Sequence, residues 1–330
     1  MGKAPLLYLD SAKLNEVRAA HSTGRLAGIT INPSLALKAI GENGDYARHV
    51  AELAEIVGPD CHKSYQVIGK SRQEMLHAAY KLRDAFEKYG GLGIKVPVFT
   101  ADTTNKHFAE DGLKTVRQLS ADGITVNVTT VQRPEQIVLA AYCGAQLISP
   151  FLGRTDDYIH ALMGDRLDKE FRKSTHFDPR GERGFGDGYG NASGVHMMAR
   201  GAYALSIMTR MGIRHNAKIL AASTRNLDQC AEAAEFWADI ITEPSEIFSF
   251  TARDEFRWPV RAEPKDFEKM WPGFLSDITE KKIEGWLQEY KEADESGGIF
   301  RLLFHPETLK GFRNFEEDGQ KLTSFKRLVS

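Results

Sequence analysis

The chain has 330 residues, with 43 Lys plus Arg against 45 Asp plus Glu, a formal net charge of −2, and 42% hydrophobic against 27% charged residues. That balance excludes a disordered chain and gives no global electrostatic case for a nucleic-acid or anionic-membrane partner. One eight-stranded βα-barrel takes about 250 residues and would leave about 80 to be placed.

Leu6-Leu7-Tyr8-Leu9 is strand-length, too short for the apolar part of a signal peptide. No run approaches the roughly 18 apolar residues of a membrane span. Eight short apolar segments read as strands, near 5–10, 27–32, 63–68, 93–98, 124–129, 146–151, 217–222 and 239–243. Helical patterns lie between them. Ser71-x-x-Glu74 is a capping box. Met75, Ala79, Leu82, Phe86 and Tyr89 then recur at helical spacing, and Gly90 is the stop. Pro134 suits a first helical turn, and Gly144 ends the helix it opens. Such alternation, with no Pro/Gly/Ser linker, predicts a parallel sheet closed into a (β/α)8 TIM barrel; a doubly wound open sheet is the runner-up.

The whole chain, 1–330, reads as one domain with two surpluses. Connection 152–216 is far too long for one helix. It holds an insert over about 155–195, with the glycine-rich Arg180-Gly-Glu-Arg-Gly-Phe-Gly-Asp-Gly-Tyr-Gly190, and then a helix around 194–212. A C-terminal helical extension over about 250–330 shows helical patterns near 278–291, through Ile283, Leu287 and Tyr290, and near 306–330. Its aromatic residues could cover the barrel mouth or form a subunit contact, so a homo-oligomer stays open. Cys61, Cys143 and Cys230 are odd in number and far apart, without a CxxC or CxxH pair. They suggest neither a zinc site nor a disulfide framework, and fit a reducing, cytoplasmic setting.

Side chains alternate between strand faces, and barrel active sites form at the strand C-termini. With Leu7, Leu9, Ile29, Ile31, Tyr65, Val67, Ile94, Val96, Val98, Ile124, Val126, Val128 and Ile148 outward, a polar set faces one lumen: Asp10, Thr30, Asn32, Gln66, Lys95, Asn127, Thr129 and Ser149. Polar groups cost free energy to bury unless they pair or serve function. Lys95, amid Ile94, Val96 and Val98, could be an edge-strand charge or a partner for Asp10. It could equally be a Schiff-base lysine, because burial lowers the pKa of an amine and frees its lone pair for attack on a ketone. Asp10 would then shuttle the proton. Asn32, Asn127 and Thr129 can hold substrate hydroxyls or a catalytic water. Arg154 follows the sixth strand, and Ser223-Thr224-Arg225 closes the seventh and opens a helix. Two arginines and a helix N-terminus make a phosphate clamp, although Arg225 could also be a surface helix residue.

Six segments, in order, resemble the transaldolase family, which includes the small fructose-6-phosphate aldolases. They are Leu9-Asp10-Ser11-Ala12, Gly28-Ile-Thr-Ile-Asn32-Pro33-Ser34, Ile94-Lys95-Val96-Pro97, Gly123-Ile-Thr-Val-Asn-Val-Thr129, Ile148-Ser-Pro-Phe-Leu-Gly-Arg154 and Leu220-Ala-Ala-Ser-Thr-Arg225. They cover about residues 5–245. The resemblance implies a Schiff base on Lys95 and acid/base work by Asp10. It implies that Asn32 and Asn127 hold a dihydroxyacetone unit, that Thr129 positions the catalytic water, and that Arg154, Ser223 and Arg225 bind phosphate. Gln66 falls where transaldolases typically carry Glu and aldolases Gln. Phe151 falls where aldolases typically carry Tyr, so the site is mixed. Phe315-x3-Gly319-Gln-Lys-Leu322 is similar to the larger transaldolases. Ile31 replaces the usual second Thr and should point outward.

The expected function is therefore transfer of a dihydroxyacetone unit from a ketose phosphate to an aldose phosphate. A fructose-6-phosphate-type aldolase, and the same chemistry on an unusual sugar, are the alternatives. The expected partners are small-molecule sugar phosphates. The Schiff base is itself the electron sink, so no metal or organic cofactor is expected. The glycine-rich stretch contains no GxGxxG or GxxxxGK[ST] and follows no strand directly, so it reads as a flexible lid or surface loop and not as a nucleotide site. A non-catalytic binding barrel is the remaining alternative. The ten histidines make no HxH or HExxH and read as structural or surface residues. Trp237, Trp258, Trp271 and Trp286 read as packing anchors for the tail.

Overall fold

The computed structural model describes residues 4–100, 109–165, 167–175, 186–266, 273, 275–293 and 298–329. Part of the glycine-rich stretch (Arg180 to Phe185), Trp271, His107 and His176 lie outside these residues. Eight parallel strands close into a barrel in chain order: β1 Leu6–Leu9, β2 Leu26–Ile31, β3 His62–Gln66, β4 Leu92–Pro97, β5 Val126–Val131, β6 Leu147–Pro150, β7 Lys218–Ala221 and β8 Ile240–Glu243. β8 pairs back to β1, Leu6 opposite Ile240 and Leu9 opposite Glu243. The open-sheet alternative is thereby excluded.

β5 begins two residues later than its sequence suggests. Ile124 N donates to Leu119 O at 3.0 Å and finishes the preceding helix, Asp111–Ala121. The helix caps follow local chemistry. Asn32, Asp45, Ser71 and Ser193 each accept a backbone N–H of the first helical turn, satisfying donors that have no intrahelical partner.

The strand alternation separates two apolar clusters. Leu7, Leu9, Ile29, Ile31, Val96, Val128, Ile148 and Ile241 join the large cluster between barrel and helices. Ile31 is 1% exposed there, on the outward face expected of it. Tyr8, Leu147, Phe151, Leu220, Ala222, Ile240 and Phe315 form a second cluster. Six of these come from the barrel, and Phe315 comes from the C-terminal helix Pro306–Lys321. Glycines make room for large rings. A Cβ on Gly28 would lie 2.6 Å from the Tyr8 ring, and one on Gly93 would collide with the His62 ring. Those two rings stack with centroids 5.5 Å apart.

After β6, helix Leu152–Leu162 starts at once, and a short helix, Lys169–Ser174, follows. The long helix Gly194–Arg210 then crosses back to β7. The described end of the glycine-rich stretch is a loop with Gly188 and Gly190 exposed, but it is anchored from within. Asp187 and Asn191 are each 1% exposed, and the Asp187 carboxylate accepts from Tyr189 N, Asn191 N and Asn191 Nδ2 at 2.7–3.1 Å. Buried, triply bonded carboxylate geometry fixes this turn and overrides its glycine content. Asp187 also pairs with buried His305 at 3.6 Å.

His305 caps helix Pro306–Lys321. The predicted 306–330 helix breaks at Leu322, whose backbone is extended, and resumes as Thr323–Val329. Helix Pro306–Lys321 packs on helix Pro33–Ile40 and on β5, so the tail covers the barrel mouth. Trp286 is buried within helix Glu280–Glu292, and Trp237 Nε1 donates to Ala262 O at 2.6 Å, as packing anchors should. Among the described residues no helix is long and apolar enough to cross a membrane.

Gly93→Ala should destabilise the fold by about 1–3 kcal/mol, the usual cost of overpacking a filled core. Urea denaturation would measure it, and an unchanged midpoint would contradict the close approach to His62.

Candidate active site

A cavity of about 680 Å³ opens at the C-terminal ends of the strands. Asp10, Asn32, Lys95, Phe151, Arg154, Ser223 and Arg225 line it. Thr30, Gln66, Asn127, Thr129 and Ser149 lie deeper in the lumen wall, each no more than 2% exposed.

Lys95 occupies the centre of β4, in register with Gln66 on β3 and Asn127 on β5. It is 2% exposed, and among the described residues it forms no ion pair. Its ammonium lies 5.7 Å from the centroid of the Phe151 ring. Burial pulls its pKa down from 10.5 to about 8. The Asp10 charge opposes that shift, and the Arg154 charge adds to it. Lys95 is neither an edge-strand charge nor a salt-bridge partner of Asp10.

Asp10 sits one residue beyond β1. Its Oδ1 accepts from Thr30 Oγ1 at 2.7 Å, and Thr30 shares a 2.8 Å hydrogen bond with Thr242. Its backbone N–H donates to Glu243 O at 2.8 Å. Asn32 caps helix Pro33–Ile40 through Oδ1, which accepts from Leu35 N at 3.0 Å. Asn32 is also one of the cavity's lining residues.

Asn127 is held on both sides. Its Oδ1 accepts from Ser149 Oγ at 2.7 Å, and its Nδ2 donates to Ser64 Oγ at 3.0 Å. Ser64 in turn bonds His62 Nε2 at 2.7 Å. Burial pulls the His62 pKa down to about 4, so the ring is neutral. Asn127 thus has one amide hydrogen left for a ligand. Thr129 Oγ1 and Gln66 Oε1 are buried and have no hydrogen-bond partner among the described residues. Such groups carry a cost that a ligand or water removes.

Arg154, in the first turn of helix Leu152–Leu162, lies against two rings that are themselves in edge contact. Its guanidinium carbon lies 5.2 Å from the Phe151 centroid and 5.1 Å from that of Phe315, a cation–π arrangement. Arg225 is held by Asp157 at 2.8 Å. Ser223 has φ of 60°, a left-handed conformation uncommon for a serine. A Cβ on Gly153 would collide with Arg225 and with Ser223 O. The absence of a side chain at Gly153 is what lets the two loops close on each other.

Several lining residues were not singled out in the sequence. Thr242 obeys the same alternation as the chosen set, so that signal was present. Arg172, Asp157, Glu307, Lys310, Asn314, Phe315 and Asp318 reach the cavity from insert and tail, where no strand period applies. Among the described residues, no group of three or more His, Cys, Asp or Glu could hold a metal ion.

These features define an eight-stranded βα-barrel with a lysine-centred cavity at its C-terminal mouth. The chain belongs to the transaldolase/fructose-6-phosphate aldolase family, whose model matches residues 7–324. A protein named "Probable transaldolase" from Syntrophobacter fumaroxidans is 38% identical over 151 residues, 46% of this chain and 62% of that protein. Proteins of the same name from Exiguobacterium sibiricum and Thermodesulfovibrio yellowstonii are 37% and 36% identical, over 65% and 63% of their lengths. The matched region thus spans less than two thirds of each of these relatives. A solved mandelate oxidase mutant covers 90% of this chain at a TM-score of 0.41 and 14% identity, too distant a likeness to bear on function.

The lowered Lys95 pKa has two measurable consequences. Its acylation by an amine-directed reagent should rise through a midpoint near 8, and Asp10→Asn should move that midpoint down. A midpoint near 10 would contradict the burial argument. The neutral form is favoured in the fold, so this site costs stability below about pH 8. That cost is relieved as pH rises from there toward the unfolded value near 10.5.

Proposed function

We propose that the chain is a transaldolase, transferring a dihydroxyacetone unit from a ketose phosphate to an aldose phosphate through a Schiff base on Lys95. The observation that carries this reading is the buried Lys95, unpaired and held near pKa 8, in one cavity with Asp10 and two arginines. At neutral pH an appreciable fraction of such an amine is unprotonated, whereas an ordinary lysine has almost none.

The amine attacks the substrate carbonyl, and loss of water gives the iminium. Asp10 accepts the proton of the hydroxyl next to the scissile carbon–carbon bond. That bond breaks, the aldose phosphate leaves, and the three-carbon unit stays on Lys95 as the enamine. The acceptor aldehyde then enters, and the steps reverse. Thr30 and Thr242 orient the Asp10 carboxylate. Asn32 and Asn127 hold the hydroxyls of the three-carbon unit, with Ser149 fixing the Asn127 amide. Thr129 and Gln66 hold the water of the iminium steps. Arg154, Ser223 and Arg225 bind the phosphate, and Phe151 forms the apolar wall beside the Lys95 amine. Insert and tail belong to the same unit as the barrel. Cys61, Cys143 and Cys230 are free and buried, which supports a reducing, cytoplasmic setting.

The aldolase reading has one observation of its own, Gln66 in place of an acid. Against it stands Phe151. A tyrosine there would aim a hydroxyl at the intermediate and help water discharge it, whereas a phenyl ring cannot.

Transfer should depend on acceptor. With fructose 6-phosphate alone, glyceraldehyde 3-phosphate should appear at less than about a tenth of the rate seen with erythrose 4-phosphate present. Acceptor-independent turnover at the full rate would overturn the transferase assignment. Phe151→Tyr should raise release of free dihydroxyacetone relative to transfer, and an unchanged ratio would remove the role given to the phenyl ring.

A further inference from the structure

Arg172 reaches the cavity from outside the barrel frame. It lies on the insert's short helix, Lys169–Ser174, whose N-terminus is capped by Asp168 at 2.9 Å. That helix is pinned to the loops beside it. Lys173 pairs with Glu246 at 2.9 Å, and Asn226 Nδ2 donates to Lys173 O at 3.4 Å.

Asp157 faces two guanidiniums. Its Oδ2 accepts from Arg225 at 2.8 Å and lies 3.6 Å from Arg172 Nε. The second distance is an ion pair but too long for a hydrogen bond. Arg225 already neutralises this carboxylate, so Arg172 is not needed for that purpose. Arg172 Nε, Arg225 Nε and Arg154 Nη1 are all buried and without a hydrogen-bond partner among the described residues. All three arginines line the same cavity. Set against Asp157, and with Glu307 paired to Lys310 at 2.9 Å, the three guanidiniums leave a net charge of +2, which complements a phosphate dianion. Arginine forks also match phosphate oxygens in geometry.

We propose that Arg172 is a third phosphate-binding residue of the site, and that Asp157 is the positioning residue that aims Arg172 and Arg225 together at the phosphate. The proposal rests on the reading of Arg154, Ser223 and Arg225 as the phosphate site. It gives the insert a function: the insert carries a specificity determinant for phosphorylated over free sugars.

The test is the ratio of kcat/KM for fructose 6-phosphate to that for fructose, with inorganic phosphate as a competitive probe. Arg172→Gln should lower the ratio about tenfold, the worth of one charge-assisted hydrogen bond at a partly exposed site. It should also raise the inhibition constant of phosphate by a similar factor, and Arg172→Lys should recover part of both. A purely structural role would lower both specificity constants together and leave the ratio alone. Arg225→Gln is the reference. If it lowers the ratio and Arg172→Gln does not, Arg172 is not part of the phosphate site and the clamp stands without it. If neither lowers it, the clamp itself falls, and this proposal with it. Should Arg172→Gln fail to fold, Arg172→Lys carries the test: it keeps the charge, loses the fork, and should lower the ratio about threefold.

Discussion

The fold is arranged around the burial of one amine, Lys95, that forms no ion pair among the described residues. An ammonium taken out of water and left unpaired is among the more expensive groups a protein can hold. Lys95 meets that cost by releasing its proton more readily than an exposed lysine does. Ile94 and Val96 on either side face the helices and seal the outer surface of the strand. On the inner side, the Phe151 ring lies beside the amine, 5.7 Å from its centroid. The Asp10 charge acts against the shift but does not pair with the lysine. Direct pairing would favour the ammonium and raise the pKa again. Distance between opposite charges is thus as much a part of the site as proximity.

The lumen divides into an apolar half and a hydrogen-bonded half, and each has a different task. The apolar half, from Tyr8 through Phe151 to Phe315, excludes water from the amine and gives Arg154 two ring faces. The polar half is a relay of fixed bonds, His62 to Ser64 to Asn127 to Ser149, which holds Asn127 in one orientation. Asp10, Thr30 and Thr242 form a second relay. Such networks are stabilising only when nearly every member is satisfied. Two buried atoms of the same lumen wall, Thr129 Oγ1 and Gln66 Oε1, have no hydrogen-bond partner among the described residues. The residues beyond a minimal barrel act at the same mouth. The tail supplies Phe315 and a cover, and the insert supplies Arg172.

Much of this was legible in the sequence because a strand has a period of two and a barrel has an inside. Asp10, Thr30, Asn32, Gln66, Lys95, Asn127, Thr129 and Ser149 follow from alternation once eight strands are granted. The same rule puts Ser64 on the inner face, and applied to the eighth strand it would have delivered Thr242. What alternation cannot state is which polar groups are spent on one another. Asn127 looks like a substrate ligand in sequence, yet two of its hydrogen-bonding positions go to serines. The burial of Asp187 was hidden by the glycines around it, since composition reads as a loop while three bonds to one carboxylate make a turn. The contributions of Phe315, Arg172 and Asp157 depend on how insert and tail pack, which no short-range pattern encodes.

The central claim is that Lys95, and no other lysine, carries the covalent intermediate. Incubation with fructose 6-phosphate and borohydride, without an acceptor, followed by peptide mass spectrometry, tests it most directly. A three-carbon adduct on the peptide containing Lys95, lost in Lys95→Met, is the expected result. A folded protein that gives no adduct, or one whose adduct sits on Lys63 or on a surface lysine, would contradict the account.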